Sequence, residues 1–127
     1  MLLHIDPRDG RPMYRQIADG IKNLIASGQL PEGQALPSVR QLAADLNVNL
    51  NTIATAYRGL QDEGLISIRH GFGARVTSRR TQSTSAEDLR RMMRGVLTQM
   101  VLAGMPRGAI IDTVADELRD LKKGMKS

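Results

Sequence analysis

The sequence predicts a mainly α-helical fold that carries a small β-hairpin. Three amphipathic helical segments come first, and a short asparagine-containing turn at residues 47–49 separates the second from the third. Two short strands follow at residues 65–77, and two more amphipathic segments end the sequence. This order predicts a winged helix-turn-helix over residues 1–78, a linker over residues 79–85 and a two-helix tail over residues 86–124.

The first helix is expected to begin near Pro12 and to end at Gly28, since proline is favoured in a first helical turn and glycine after a last one. Its apolar residues recur at helical spacing, so one face is suited to a core. These residues are Tyr14, Ile17, Ala18, Ile21, Leu24 and Ile25. Residues 30–37 (LPEGQALP) contain two prolines and a glycine, which predicts an ordered connector.

Two short helices joined by a tight turn are predicted over residues 38–64. Ser38 can cap the first, and either Asn49 or Asn51 can cap the second, because short polar side chains accept hydrogen bonds from unpaired helix N–H groups. Gly64 stands where a C-terminal glycine belongs. The residues expected to pack inward are Val39, Leu42, Ala43 and Leu46 in the first helix, and Ile53, Ala56, Tyr57 and Leu60 in the second.

A β-hairpin, here called the wing, is predicted next. Residues 65–69 (LISIR) and 74–77 (ARVT) have strand character, and residues 70–73 (HGFG) form a glycine-containing turn. Residues 79–85 (RRTQSTS) are polar and mostly small, so we expect them to form a linker.

The tail is expected to contain two amphipathic helices. Ser85 and Asp88 resemble a capping box at the start of the first, Gly104 ends it, and Pro106 helps to start the second. Two helices of this size cannot bury both apolar stripes by themselves, so we predict a homodimer interface with a second copy of the chain. The residues assigned to that interface are Leu89, Met92, Met93, Val96, Leu97, Met100, Val101, Ile110, Ile111, Val114 and Leu118.

The composition favours double-stranded nucleic acid as a partner. Lysine and arginine total 18 against 13 acidic residues, and the net charge of +5 suits an anionic ligand. One phenylalanine, two tyrosines and no tryptophan leave few rings for stacking on unpaired bases. The absence of cysteine excludes thiol chemistry. There is no signal-peptide pattern and no long apolar run, so we expect a cytoplasmic protein that does not enter a membrane.

Catalysis is not expected from this sequence. The two histidines, His4 and His70, are far apart, and no serine or carboxylate pair has a base beside it in the sequence. The turn at residues 71–73 lacks the lysine and the following helix of a nucleotide-binding loop. We therefore predict no catalytic residue, no metal site and no cofactor.

Several segments resemble the GntR family of bacterial repressors. They are residues 12–17 (PMYRQI), 36–43 (LPSVRQLA), 49–57 (NLNTIATAY), 63–66 (EGLI) and 71–73 (GFG). The short two-helix tail is similar to that of the YtrA-like subfamily. The resemblance implies a sequence-specific transcriptional repressor that dimerises through its tail, often on operons for ABC transporters, and it leaves room for a small-molecule effector.

The second helix of the helix-turn-helix is expected to lie in the major groove, with the face opposite its core residues towards the bases. Asn51 can pair with adenine, Leu50 and Thr55 can meet a thymine methyl group, and Asn49 and Thr52 are placed for phosphates. The resemblance adds Arg40, which matches a family arginine that reaches DNA. All candidates for DNA binding are Tyr14, Ser38, Arg40, Asn49, Leu50, Asn51, Thr52, Thr55, Arg58, Arg69, His70, Gly71 and Arg75.

Alternatives remain open for single residues and for the whole chain. Arg40 could instead pair with Asp45, Asn51 and Thr52 could be caps only, and the wing residues Arg69, His70 and Arg75 could touch phosphates, a minor groove or only solvent. The methionines at positions 92, 93, 100 and 105 could line an effector groove rather than a dimer core. The chain as a whole could be a protein-interaction module or an architectural DNA binder without a ligand.

Overall fold

The computed structural model describes residues 3–69, 73–78, 80 and 84–121. The helices are α1 (Met13–Ala26), α2 (Val39–Leu46), α3 (Leu50–Asp62), α4 (Ala86–Leu102) and α5 (Arg107–Asp120). The strands are β1 (Ala35–Leu36), β2 (Ile66–Arg69) and β3 (Gly73–Val76), and they form an antiparallel sheet in the order β1-β3-β2. The predicted fold class, mainly α with a small wing, is confirmed.

Strand β1 is not expected from the sequence, which predicts residues 30–37 to be an ordered connector without a helix or a strand. Ala35 pairs with Arg75 and Leu36 with Ala74, so the connector becomes the third strand of the sheet. Two backbone hydrogen bonds extend the pairing at the start of β1: Gly33 N–H donates to Val76 O at 2.7 Å, and Val76 N–H donates to Gln34 O at 2.9 Å. The wing is therefore anchored to the body of the head, which we define as residues 3–78.

The core of the head lies where α1, α2 and α3 meet the sheet. The predicted inner face of α3 is buried. Of the residues predicted for the inner face of α1, the three isoleucines are buried and Ala18 and Leu24 are partly buried, but Tyr14 is exposed because it lies in the first turn, at the edge of the packed face. Helix α2 adds Leu42 and Ala43. The fully buried side chains with the largest volumes are Ile17, Ile21, Ile25, Leu42, Ile53, Tyr57, Leu60 and Val76. Burial of several branched aliphatic side chains of this size, each contributing about 1.5–3 kcal/mol, makes this cluster the main source of stability in the head.

Both helices of the helix-turn-helix are capped at their N-terminal ends. Ser38 Oγ accepts a hydrogen bond from Gln41 N at 3.0 Å, and Asn49 Oδ1 accepts one from Asn51 N at 2.8 Å. Asn49 is thus the cap of α3, which settles the choice between Asn49 and Asn51. Asn47 ends α2 at φ 54°, a left-handed conformation that asparagine tolerates better than most residues.

Tyr57 ties α3 to the segment before α2. Its side chain is only 1% exposed, and its hydroxyl donates a 2.6 Å hydrogen bond to Pro37 O. Since Pro37 immediately precedes the cap of α2, this bond fixes the start of α2 against the middle of α3.

The tail has the opposite character. Helices α4 and α5 have no buried residue, although both carry apolar stripes. Ser85 Oγ caps α4 by accepting a hydrogen bond from Asp88 N at 3.1 Å, as the sequence predicts. Within the described part of the chain, no helix combines the length and the hydrophobicity needed to cross a bilayer.

The first prediction concerns alkaline pH. Burial raises the pKa of Tyr57 to about 12, from an ordinary value of about 10. The native state then holds this proton more tightly than the unfolded state, so the stabilisation is complete below about pH 10 and is lost as pH rises through about 12. We expect the free energy of unfolding, measured by urea denaturation, to fall more steeply over this interval in the parent than in Tyr57→Phe.

At neutral pH the same variant should lose about 1 kcal/mol, because Pro37 O loses its donor. Tyr14→Phe is the matched control, since Tyr14 is exposed, and it should keep the alkaline dependence of the parent. Identical alkaline slopes for the parent and Tyr57→Phe would contradict this assignment.

Candidate nucleic-acid interface

Helix α3 presents a polar face opposite its buried face. Asn51, Thr55 and Arg58 are spaced three or four residues apart and are all exposed, so they share one side of the helix. Leu50 at the first turn is 45% exposed, which leaves it available for a thymine methyl group. Helix α3 could therefore contact an adenine edge, a thymine methyl group and a phosphate.

The N-terminal end of α3 is suited to a phosphate. Its first N–H groups point out of the helix, and the helix dipole adds partial positive charge there. Asn49 uses its side-chain oxygen on Asn51 N, so its amide NH₂ is the group that can donate to a phosphate oxygen. Thr52 is half-buried, and its hydroxyl lies on the first turn of the same helix.

Arg40 is exposed on the first turn of α2, two residues after the cap Ser38. The structure shows no ion pair between Arg40 and Asp45, both of which it describes. Instead, Asp45 Oδ1 accepts a hydrogen bond from Gln41 Nε2 at 2.8 Å. Ser38, also exposed, keeps its hydroxyl hydrogen for a further acceptor while its oxygen caps the helix. Both side chains are thus in position for an anionic partner.

At the start of α1, the structure adds Arg15 to the candidates predicted from the sequence. Arg15 is exposed, and so is the neighbouring candidate Tyr14, as contact with DNA requires. Arg11, in contrast, is held by Asp9 and Asp19, and its hydrogen bonds keep the pKa of the Asp9 carboxyl below its usual range. Arg15 rather than Arg11 is the cation that this end of α1 offers. Its place beside Tyr14 in the YRQI motif was the available signal.

The two wing arginines lie on one face of the sheet. Ser67 is opposite Arg75 and Arg69 is opposite Gly73, whereas Ile66, Ala74 and Val76 of the same strands are buried. This face forms a shallow polar cleft of about 270 Å³ with Thr77 at its edge. Arg75 Nη1 donates a hydrogen bond to Gly33 O at 3.1 Å, so part of this guanidinium holds the connector. The candidates His70 and Gly71 lie outside the described residues.

The exposed groups of this surface are suited to binding nucleic acid. Its functional groups are guanidinium, amide and hydroxyl donors, which suit phosphates and base edges. Among the described residues, no three histidine or acidic side chains come together in a group that could hold a metal ion.

Comparison with known proteins finds a family match and a relative that is similar over nearly the whole chain. The sequence profile described as bacterial regulatory proteins, gntR family, matches residues 13–76. The HTH-type transcriptional repressor YtrA of Bacillus subtilis (strain 168) is 30% identical over 125 residues, which cover 98% of this chain and 95% of that protein.

Two solved structures are also similar to this chain, one over its whole length and one over 59% of it. A transcriptional antiterminator from Listeria monocytogenes EGD-e superposes with a TM-score of 0.85 at 25% identity, covering 100% of this chain and 96% of that one. The DNA-binding domain of AraR, in complex with operator ORX1, superposes with a TM-score of 0.53 at 27% identity, covering 59% of this chain and 93% of that one.

The second prediction concerns the two side chains expected to matter most, Arg40 and Asn51. Arg40→Ala and Asn51→Ala should each weaken binding to a duplex selected from random DNA by about 1–3 kcal/mol. Asn51→Ala should also relax the preference for adenine at one position, because it removes a bidentate contact. Fluorescence anisotropy with the selected duplex and its single-base variants measures both effects.

Two control variants remove an arginine or an asparagine side chain elsewhere on the surface. Arg119→Ala on α5 and Asn23→Ala in the second half of α1 make the same chemical changes on exposed helix positions away from the polar face of α3. Both should bind DNA like the parent. If Arg40→Ala or Asn51→Ala also binds like the parent, that residue does not belong to the interface.

Proposed function

The chain belongs to the GntR family of bacterial regulatory proteins and is a DNA-binding transcriptional regulator, and on that premise we propose that it represses transcription as a homodimer bound to a pseudo-palindromic operator. One observation carries the proposal: a rigid head with an exposed recognition face is joined to a tail whose apolar stripes are uncovered in the single chain. The Bacillus subtilis relative is named as a transcriptional repressor, which supports repression rather than activation.

The tail supports a dimer because α4 and α5 enclose an apolar groove. The groove has a volume of about 630 Å³, and among the described residues that line it one is charged, Arg107 at the start of α5. Its apolar lining residues are Met93, Leu97, Val101, Met105, Ile110, Ile111 and Val114. Six of these seven, all but Met105, belong to the predicted dimer interface. A monomer would leave this groove in water, so a second copy with the same uncovered stripe is the natural occupant.

Three of the remaining interface residues lie beside the groove. Leu118 extends the stripe of α5 beyond it and is exposed, Val96 is exposed on α4, and Met100 is half-buried. Leu89 and Met92, also assigned to the interface from the sequence, are exposed on the part of α4 that lies beside the head, and they line a different cavity there. An obligate interface of this apolar kind would make the folded tail depend on association.

A two-fold axis through the tails would place two recognition helices on DNA one or more helical turns apart. We assign residues 1–78 to DNA binding, 79–85 to a linker and 86–124 to dimerisation. Two heads on one operator multiply their affinities through a high effective concentration, so a weak single head becomes a tight dimer. Repression then follows from occupation of DNA that the polymerase needs.

The third prediction separates the groove from the rest of α4. Val101 lines the groove and is 62% exposed in the single chain, whereas its neighbour Leu102 lies outside the groove and is 82% exposed. Val101→Glu would place a carboxylate among the apolar side chains of the groove and should weaken association by about 3 kcal/mol, roughly a hundredfold. Leu102→Glu, the matched control, should remain dimeric.

Light scattering after size-exclusion chromatography gives the mass of each variant at micromolar concentration. Transcription in vitro from a promoter that overlaps the selected duplex gives the function, and Val101→Glu should repress far less than Leu102→Glu. A monomeric parent, or a Val101→Glu variant that is dimeric and represses normally, would refute the proposal.

A further inference from the structure

A second cavity lies at the junction of head and tail, apart from the recognition face and from the groove between α4 and α5. Its volume is about 380 Å³, within the range of small-molecule sites in proteins. On the head side it is lined by Ile25 and Ala26 at the end of α1 and by Leu65 just before β2. On the tail side it is lined by Leu89 and Met92 of α4.

Helix α4 therefore has two apolar faces with different neighbours. Leu89 and Met92 face the head, whereas Met93, Leu97 and Val101 face α5. A wide apolar stripe on one helix is expected when the helix packs on two sides at once. The groove side has a natural occupant in the second copy. The head side is an open cavity lined by residues of one chain, and its walls come from α1, from the residue before β2 and from the start of α4.

The charged groups of the cavity define the chemistry of what it can hold. Lys22 Nζ lies 2.7 Å from Glu63 Oε2, so the two charged side chains in the lining neutralise each other. An ionic ligand would have to break this pair, at a cost in Coulomb energy and solvation. A neutral molecule leaves it intact and gains from the apolar walls. The hydroxyl of Thr84 can serve one polar group of such a molecule.

The position of the Lys22–Glu63 pair links the cavity to DNA binding. Glu63 is the residue that ends the recognition helix α3, and Lys22 lies on α1, so the pair joins the two main helices of the head at the edge of the cavity. The opposite wall is the first part of α4, which carries the tail. A bound molecule touches both walls and therefore favours one orientation of head relative to tail over others.

We propose that this cavity is the binding site of a small, neutral, mainly apolar effector, seated between Ile25 and Leu65 of the head and Leu89 and Met92 of the tail. The inference rests on the proposed dimeric regulator, because the orientation of a head matters for DNA only when two heads share one operator. Occupation changes operator affinity by shifting the population of head orientations, and a coupling of about fivefold or more is typical of such linkage.

The test uses N-phenyl-1-naphthylamine, a neutral apolar dye whose fluorescence rises in apolar sites, with the full-length protein. We expect saturable binding of one dye per chain. Ala26→Leu is the key variant, since Ala26 is exposed at the end of α1 and a leucine there fills the cavity without disturbing the core. Ala115→Leu makes the same change on exposed α5 outside this cavity and serves as the matched control.

In the expected result, Ala26→Leu abolishes dye binding, Ala115→Leu retains it, and saturating dye changes the affinity of the parent for its selected duplex at least severalfold. Absence of saturable dye binding, or equal binding by Ala26→Leu and the parent, would overturn the site. Loss of dye binding in Val101→Glu but not in Ala26→Leu would place the dye in the tail groove and would also overturn it.

Binding at the cavity that leaves DNA affinity unchanged would overturn the effector role. Failure of the regulator proposal is distinguishable from all of these results, because the parent would then show no selected duplex even without dye. Conversely, tight DNA binding with no dye binding refutes the cavity alone.

Discussion

The burial of one side of α3 is the constraint on which the rest of the molecule depends. Ile53, Tyr57 and Leu60 are held in the core by α1, and Tyr57 also reaches Pro37 through its 2.6 Å hydrogen bond. Rotation of α3 about its axis would expose these side chains and break that bond. The proposed recognition face, the exposed side of α3, is therefore the complement of the core, and packing sets which side chains it presents.

Much of the head could be predicted because its signals are local. The cap at Ser38, the left-handed turn near Asn47 and the inner face of α3 are each encoded within a few residues, and the structure has them as expected. Strand β1 could not be predicted in this way. Its pairing joins Ala35 to Arg75 across a large sequence separation, and two residues are too few for a periodic pattern. The hydrogen bond from Arg75 to Gly33 O could not be predicted either, because it also joins residues far apart in the sequence.

The candidate site and the tail show a second limit of sequence reasoning. A sequence pattern ranks Arg11 and Arg15 alike, and only the structure shows that two aspartates hold Arg11. In the tail, the apolar stripe of α4 was predicted as one surface. The structure divides it between a groove shared with α5 and a cavity shared with the head, since the identity of the neighbour depends on how the elements are arranged in space. Helical periodicity identifies an apolar face but not what covers it.

The central claim is that the molecule reads a specific DNA sequence as a dimer, and selection of random duplexes on the purified protein tests it most directly. Binding to the selected sequence is then followed as the salt concentration rises. We expect an inverted repeat, bound far more tightly than random DNA, with an affinity that falls steeply with salt because many phosphates are contacted. Recovery of no motif, together with weak binding that does not respond to salt, would contradict the account and would indicate a protein-interaction module.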